Sequence, residues 1–383
     1  MSVTAPQGFR AAGVVAGLKP SGKPDLAVIV NDGPASAAAA VFTANRCKAN
    51  PVLWSAEAIK GGTARAMVAN SGGANCYTGA EGFANTHATA EAVAELLGIG
   101  AVDVQVCSTG LIGLLNDRAA LLSGATKAVG ALSLDGGSAA AEAIMTTDSV
   151  PKQATATFGG CTVGGMAKGA GMLAPSLATM LVYLTTDADV DAAACDRALR
   201  AATARTFDRI DSDGCMSTND TVLLMASGAT GVTPAYDDFA AAVHAVCADL
   251  ARQLVADAEG ADHDIAIRVL GAATESDALD VARAIARSNL FKCAIYGRDP
   301  NWGRVLAQIG TTLAVFDPAD LDVALNGVWV CRNSGPADDP SRVDLDGREV
   351  EVVVDLKSGP HEATVWTNDL THAYVHENSA YSS

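Results

Sequence analysis

Basic residues are in short supply in this sequence. Lys and Arg total 26 against 43 Asp and Glu, a formal net charge of −17. Such a surface repels nucleic acid and anionic membranes, and no basic stripe overrides it. Aromatic residues make up only 5%. With alanine and glycine abundant, the core is built from small and β-branched side chains. The nine cysteines, at 47, 76, 107, 161, 195, 215, 247, 293 and 331, include no Cys-x-x-Cys pair. Their odd count and long spacings argue against a disulfide framework or a zinc site, and no metal or cofactor is expected. Most read as small buried hydrophobes in a reducing compartment. One weakly apolar run, Ala11 to Leu18, is broken by Gly13 and Gly17 and lacks a convincing cleavage site. No stretch approaches the roughly 20 apolar residues that span a bilayer, so the chain reads as cytoplasmic.

What is present fits a folded protein of 383 residues, 49% hydrophobic and 18% charged, long enough for a large domain with a smaller companion. Helical and strand patterns alternate. Leu26 to Val30 and Ala66 to Asn70 predict short buried strands, the second running into a turn at Ser71-Gly72-Gly73-Ala74-Asn75. Residues 80 to 97, 116 to 132 and 138 to 145 predict helices, with Val102 to Cys107 and 154 to 165 as strands. The continuous apolar run Met180 to Leu184 predicts a buried strand. Helices follow at about 190 to 207, 236 to 258 and 276 to 290, with strands near 221 to 226 and 264 to 270. The tail adds strand-like runs at Val323 to Val330 and Glu349 to Leu356. The expected division is a main α/β domain over 1–265 and a smaller C-terminal α/β domain over 266–383.

The chemistry concentrates between Gly164 and Thr179. Four glycines lie within the eight residues 164 to 171, allowing the backbone conformations and close approaches closed to other residues. The order of Gly and Lys does not satisfy the phosphate-loop pattern, and a lone Lys168 reads first as a solvated loop lysine. A threonine heading a buried strand is ordinarily just a β-former. At Ala178-Thr179 the context differs, because Pro175 fixes one torsion and the small Ala178 leaves its carbonyl open to approach. The Thr179 hydroxyl can attack that carbonyl through a five-membered ring, moving the acyl group from nitrogen to oxygen before water releases it. The α-amine so exposed has an unperturbed pKa of roughly 7.7–8.0, suited to accept a proton from the adjacent hydroxyl. That is the N-terminal threonine form of an activated nucleophile. Cys107-Ser108-Thr109-Gly110 closes a strand with a hydroxyl and a flexible amide, a place for oxyanion donors as well as for an ordinary turn.

Asn70 to Asn75, Cys107 to Gly110, Thr146-Thr147-Asp148, Lys168 to Met172, Ala178 to Leu181, Asp257 to Gly260, Asp299 to Arg304 and Glu377 to Tyr381 occur in that order. Over essentially the whole chain this series resembles the ornithine acetyltransferases, or glutamate N-acetyltransferases, of arginine biosynthesis. The resemblance implies an αββα layered sandwich with an N-terminal-nucleophile-like site, plus the smaller C-terminal α/β domain. It implies cleavage between Ala178 and Thr179 into fragments 1–178 and 179–383 that stay together as an α2β2 heterotetramer. It further implies ping-pong transfer of acetyl from N-acetylornithine to glutamate through acetyl-Thr179, with acetyl-CoA as a possible second donor. Thr109 and Gly110 match the family's oxyanion donors. Thr146, Lys168, Thr179, Glu259, Asn378 and Ser383 match its substrate-binding positions.

Three stretches depart from the commoner family pattern: Leu177, the loop Gly214 to Asp220, and Ala261-Asp262-His263 after Glu259-Gly260. The last two bear on substrate preference. Two other readings use the same residues. An aminopeptidase or amidase would make the same cut but pass the acyl group to water, and a binding protein would use the glycines only for turns. The six histidines are dispersed, and His87 on a predicted helix reads as a surface or packing residue.

Overall fold

The structure, a computed structural model, describes residues 2–174 and 180–380. The chain starts with β1 (Phe9–Val14), β2 (Leu26–Asn31), β3 (Ala38–Phe42), α1 (Asn50–Ala58) and β4 (Ala66–Gly73). It continues through α2 (Gly79–Leu97), β5 (Val104–Leu111), α3 (Arg118–Gly130), α4 (Gly137–Ala143), β6 (Lys152–Phe158) and β7 (Cys161–Lys168). Then come β8 (Leu181–Thr186), α5 (Ala192–Thr203), β9 (Thr221–Ala226) and α6 (Tyr236–Ala256). The remainder comprises β10 (Asp264–Ala272), α7 (Glu275–Ala286), α8 (Asn289–Tyr296), α9 (Trp302–Ile309), β11 (Asp322–Leu325) and β12 (Val328–Arg332). It closes with β13 (Gly335–Pro336), β14 (Glu349–Asp355), β15 (His361–Asn368) and α10 (His372–Ala380).

Of the three sheets among the described residues, two face each other. One has the order β1-β2-β4-β5, the other β3-β9-β8-β7-β6. Alternation along the strands decides which side chains meet between them. Phe9, Ile29, Met67 and Cys107 from the first sheet interdigitate with Met166, Leu181, Tyr183 and Met225 from the second. Each large apolar side chain fully buried there contributes roughly 1.5–3 kcal/mol. The opposite faces are covered by helices. Val28, Val68 and Val106 pack against Val93 of α2 and Leu121 of α3, while Val163, Leu184 and Leu224 pack against Leu199 of α5 and Val246 of α6. This is the αββα layering expected from the sequence. The six strands β13-β12-β11-β14-β10-β15 form a third sheet, whose core of Ile265, Val352 and Val365 is covered by Val281 and Ile285 of α7.

Several boundaries differ from expectation. The turn expected at 71–75 begins three residues later, because β4 continues to Gly73 in parallel register with β5, which itself runs on to Leu111. The single strand expected at 154–165 is a hairpin, turning at Gly159 and Gly160 with φ of 50° and 84°. The strand expected at Val323 to Val330 is likewise a hairpin, turning at Asn326-Gly327. The helix expected over 276–290 is two helices, with Ser288 capping the second through Phe291 N–H. Strands β1, β3, β13 and β15 and helices α1, α9 and α10 fall outside the elements that the sequence predicts. Six cysteines are buried and free, whereas Cys47, Cys215 and Cys293 are free and exposed. Contrary to the sequence reading, α6 is long and apolar enough to cross a bilayer, with mean hydropathy 1.3 over its best window. Its apolar stripe instead packs on β6 and β7, so here that composition makes a core helix.

Candidate active site

Strand β7 places Lys168 at its end, opposite Leu181 of β8. The solvated loop lysine of the sequence reading is therefore corrected: the side chain is 2% exposed. Its ammonium donates to Thr146 Oγ1 at 2.8 Å and to Thr109 Oγ1 at 3.1 Å. Three residues separated by up to 59 positions in sequence thus meet around one buried charge. Burial lowers the Lys168 pKa, and Asp148 pulls it back up.

Asp148 organises the neighbourhood. Its carboxylate accepts Gly169 N–H at 2.6 Å, Thr146 N–H at 3.0 Å and Lys152 Nζ at 2.7 Å. Burial works against its charge, yet Lys168 and Lys152 hold its carboxyl down at about 2. Lys152 also reaches Asp257 at 2.5 Å, just beyond the end of α6. The Thr146 loop is thereby fixed to β7 on one side and to α6 on the other. Asp148 lay within the Thr146-Thr147-Asp148 motif but carried no assigned role in the sequence reading. Its carboxylate at the loop between α4 and β6 was the available signal.

The Thr109 side of the site is built from close backbone approaches. Gly110 has φ of 120° and pairs with Gly72, and a β-carbon on it would lie 2.5 Å from the Gly72 carbonyl carbon. Only glycine fits there. Asn219 Nδ2 ties β4 to β5 by donating to the carbonyls of Ala74 and Ser108 at 2.6 and 2.8 Å. Ser108 donates its hydroxyl to Asn70 at 2.6 Å. The Asn70-to-Asn75 motif is therefore a framework for Thr109 and Gly110.

Glu259 approaches from the far end of α6. Its amide N–H donates to the Ala170 carbonyl at 3.0 Å, and its carboxylate accepts Asn378 Nδ2 at 3.1 Å. A β-carbon on Gly171 would lie 2.6 Å from either Glu259 carboxylate oxygen. The tail does fold back. Gly260 has φ of 61°, a β-carbon there would meet Tyr374 N at 2.3 Å, and Thr371 Oγ1 donates to the Gly260 carbonyl at 2.5 Å. The divergent His263 anchors this tail. Its N–H donates to Asp369 Oδ1 at 3.0 Å, and its ring Nδ1 lies 2.7 Å from Asp369 Oδ2.

Thr109, Gly110, Thr146 and Lys168 thus form one cluster, flanked by Glu259 with Asn378. Ala178, Thr179 and Ser383 lie outside the described residues. His87 is half-exposed and its ring lies tilted by 53° against that of Trp54, centroids 4.9 Å apart, as a packing residue would. No group of three or more metal-ligating side chains occurs among the described residues. A groove of about 690 Å³, lined by Arg205, His244, Arg252, Glu349 and Trp366, shares no residue with the Lys168 cluster.

The model of the ArgJ family matches residues 10–383. The chain belongs to the ArgJ family. It is an enzyme of the ornithine and glutamate acetyltransferase type. The arginine biosynthesis bifunctional protein ArgJ of Streptomyces avermitilis is 64% identical, over 100% of both chains. Its namesake in Mycobacterium tuberculosis is 55% identical, over 100% of this chain and 96% of its own. A solved ArgJ from Bacillus halodurans is 36% identical with a TM-score of 0.50, over 52% of this chain and 98% of that one.

Proposed function

We propose that this ArgJ-family chain moves acetyl groups between ornithine and glutamate in arginine biosynthesis, with Thr179 as its nucleophile after a cut at Ala178-Thr179. The observation that carries the reading is the buried ammonium of Lys168, shared between Thr109 and Thr146. A cation with little access to water, flanked by two hydroxyls, suits the α-carboxylate that both amino-acid substrates present. Glu259, held by Asn378 and with its charge felt at Lys168, faces the ornithine ammonium.

The chemistry proceeds in balanced steps. In the cut, the Thr179 hydroxyl oxygen bonds to the Ala178 carbonyl carbon, the peptide C–N bond breaks, and the hydroxyl proton passes to the nitrogen. Water then cleaves the resulting ester, leaving a carboxylate on Ala178 and a free amine on Thr179. In turnover that amine takes the hydroxyl proton while the oxygen attacks the acetyl carbonyl of N-acetylornithine. Thr109 and the Gly110 amide stabilise the oxyanion, and the proton leaves with ornithine. Glutamate then takes the acetyl group by the reverse sequence. Exchange of one amide for another is nearly balanced, so ATP is not needed, but the acetyl-enzyme must be kept from water.

The cut would leave pieces of 178 and 383 − 178 = 205 residues. Support comes from the Bacillus halodurans chain, which matches over 98% of itself yet 52% of this chain, about the length of one such piece. The two pieces assemble as α2β2 in the cytoplasm, where nine free cysteines are at home. Residues 1–265 form the main domain and 266–383 the smaller one. Acetyl-CoA serves as a second donor, in keeping with the bifunctional relatives.

Purified protein given N-acetylornithine, with and without glutamate, tests the reading. Acetylglutamate should form only with glutamate, and intact mass should show two pieces that Thr179→Ala abolishes. Acetate release indifferent to glutamate would turn the assignment to an amidase. Replacing N-acetylornithine by acetyl-CoA tests the second donor.

A further inference from the structure

Helix α10 and the turn after α6 wall the Glu259 side of the site. Thr371 Oγ1 donates to the Gly260 carbonyl and accepts Tyr374 N–H at 2.9 Å, which seats the start of α10 on that turn. Residues four apart share a helix face, so Tyr374 and Asn378 lie on one side of α10. Asn378 shows which side that is. Its amide donates to Glu259 Oε2 at 3.1 Å and to the Tyr374 carbonyl at 3.0 Å. The Tyr374 ring is half-buried, and the charges of Asp213 and Glu259 both act on its phenol. Tyr374 lies outside the Glu377-to-Tyr381 motif, so the sequence reading passed over it.

The polar groups of this wall are unequally engaged. Asp213 accepts Leu173 N–H on one carboxylate oxygen and Cys215 N–H on the other, each at 3.0 Å. The lysines that flank the wall are committed as well, Lys152 to Asp148 and Asp257, and Lys292 to the Ser212 carbonyl. The Tyr374 phenol, by contrast, has no hydrogen-bond partner among the described residues.

Transfer between ornithine and glutamate makes contrary demands on such a pocket. It must hold a side chain ending in an ammonium and then one ending in a carboxylate. Glu259 suits the first and repels the second, most strongly where water is scarce. A neutral group that both donates and accepts can meet either, and a phenol is one. Resting on the reading that the Glu259 side takes the substrate side chain, we propose that Tyr374 lets one subsite serve both substrates. Its phenol oxygen accepts an N–H from the ornithine ammonium, and its O–H donates to the glutamate γ-carboxylate. Burial pushes this phenol up to about 12, with Asp213 and Glu259 pushing the same way. It therefore keeps its proton at neutral pH and remains a donor. The bond to a carboxylate is charge-assisted and offsets part of the repulsion from Glu259.

Tyr374→Phe keeps the ring and removes only the hydroxyl. In a ping-pong enzyme kcat/KM for each substrate reports its own half-reaction, so the two roles separate. With purified enzyme, kcat/KM for glutamate should fall roughly 10–100-fold, as for a lost hydrogen bond to a charged group. The value for N-acetylornithine should fall by about threefold or less, because Glu259 still meets the ammonium. Glutamine as acceptor, with no charge on its side chain, should lose less than glutamate does. The melting temperature should not change. A glutamate value within about twofold of wild type would overturn the proposal. So would equal losses for both substrates, since the hydroxyl would then merely shape the pocket, or loss of cooperative melting, since it would then serve folding. Wild-type enzyme that forms no acetylglutamate from N-acetylornithine and glutamate overturns the underlying reading instead.

Discussion

The carboxylate of Glu259 lies directly over the bare α-carbon of Gly171, where a β-carbon would come within 2.6 Å of both its oxygens. Neither partner can move freely. Gly171 sits in the segment that follows Lys168, and the Glu259 amide is bonded to the Ala170 carbonyl. Gly171→Ala should therefore displace the carboxylate without emptying the Lys168 cluster. KM for N-acetylornithine should rise about 10-fold while kcat changes little, as for loss of an interaction made equally in ground and transition states. Steady-state kinetics with N-acetylornithine and glutamate varied separately would check it. An equal rise in both KM values would argue against a selective role for Glu259.

Lys168 connects the site to pH. Burial lowers its pKa, so it loses its charge at a lower pH than an exposed lysine, whose value is about 10.4. KM for both substrates should therefore climb on the alkaline side before that value is reached. Lys168→Met, which removes the charge at every pH, should cost roughly 10–100-fold in kcat/KM, as expected for charge-assisted bonds. Its KM should no longer respond to alkaline pH. A wild-type KM flat up to pH 10 would contradict the assignment.

Asp148 connects the same neighbourhood to stability. Its folded carboxyl is held at about 2, below an unfolded value of about 3.9. A depressed carboxyl stabilises the fold fully above the unfolded value, and that stabilisation is lost as pH falls from about 4 towards 2. Urea midpoints measured across that interval should fall steeply for wild type. Asp148→Asn leaves Lys152 and Lys168 poorly compensated and should lose about 3–5 kcal/mol at pH 7. Its midpoint should fall less across the same acid range.

Gly110→Ala should fail for a steric reason rather than an electrostatic one. Its φ of 120° and the Gly72 backbone leave no room for a β-carbon, so β4 and β5 must separate. Thr109→Val is the gentler probe. It should lower kcat roughly 10²–10³-fold if the hydroxyl is an oxyanion donor, with little change in melting temperature. An unaltered kcat in Thr109→Val would remove Thr109 from the oxyanion site.

Much of the sandwich was legible because its strands are short continuous apolar runs. Leu26 to Asn31 is buried at every position, as are Leu181 to Thr186 and Thr221 to Ala226. What escaped was punctuation. Gly159-Gly160 and Asn326-Gly327 are tight turns with positive φ at both residues, and each split one expected strand into a hairpin. The motifs brought Thr109, Thr146 and Lys168 to notice, but their convergence is tertiary. Composition gives no warning that a lysine after Gly-Gly-Met-Ala will lie buried between two sheets. Asp148 was harder to assign, because a carboxylate in a loop looks the same whether it is solvated or walled in.

The five-stranded sheet has one further consequence. Of its members, β3, β6 and β7 precede residue 179, while β8 and β9 follow it, and the spatial order is β3-β9-β8-β7-β6. Strands from the later piece are therefore sandwiched laterally between strands of the earlier one, with ladders at both borders. The proposed cut at Ala178 would break one covalent bond but release neither piece. Each would have to strip two rows of hydrogen bonds and a shared hydrophobic layer to depart. The same interleaving means that the halves made apart should not fold as independent bodies, since each would expose raw strand edges meant for the other. Under the proposed cut, the molecule is assembled as one polypeptide and operated as two.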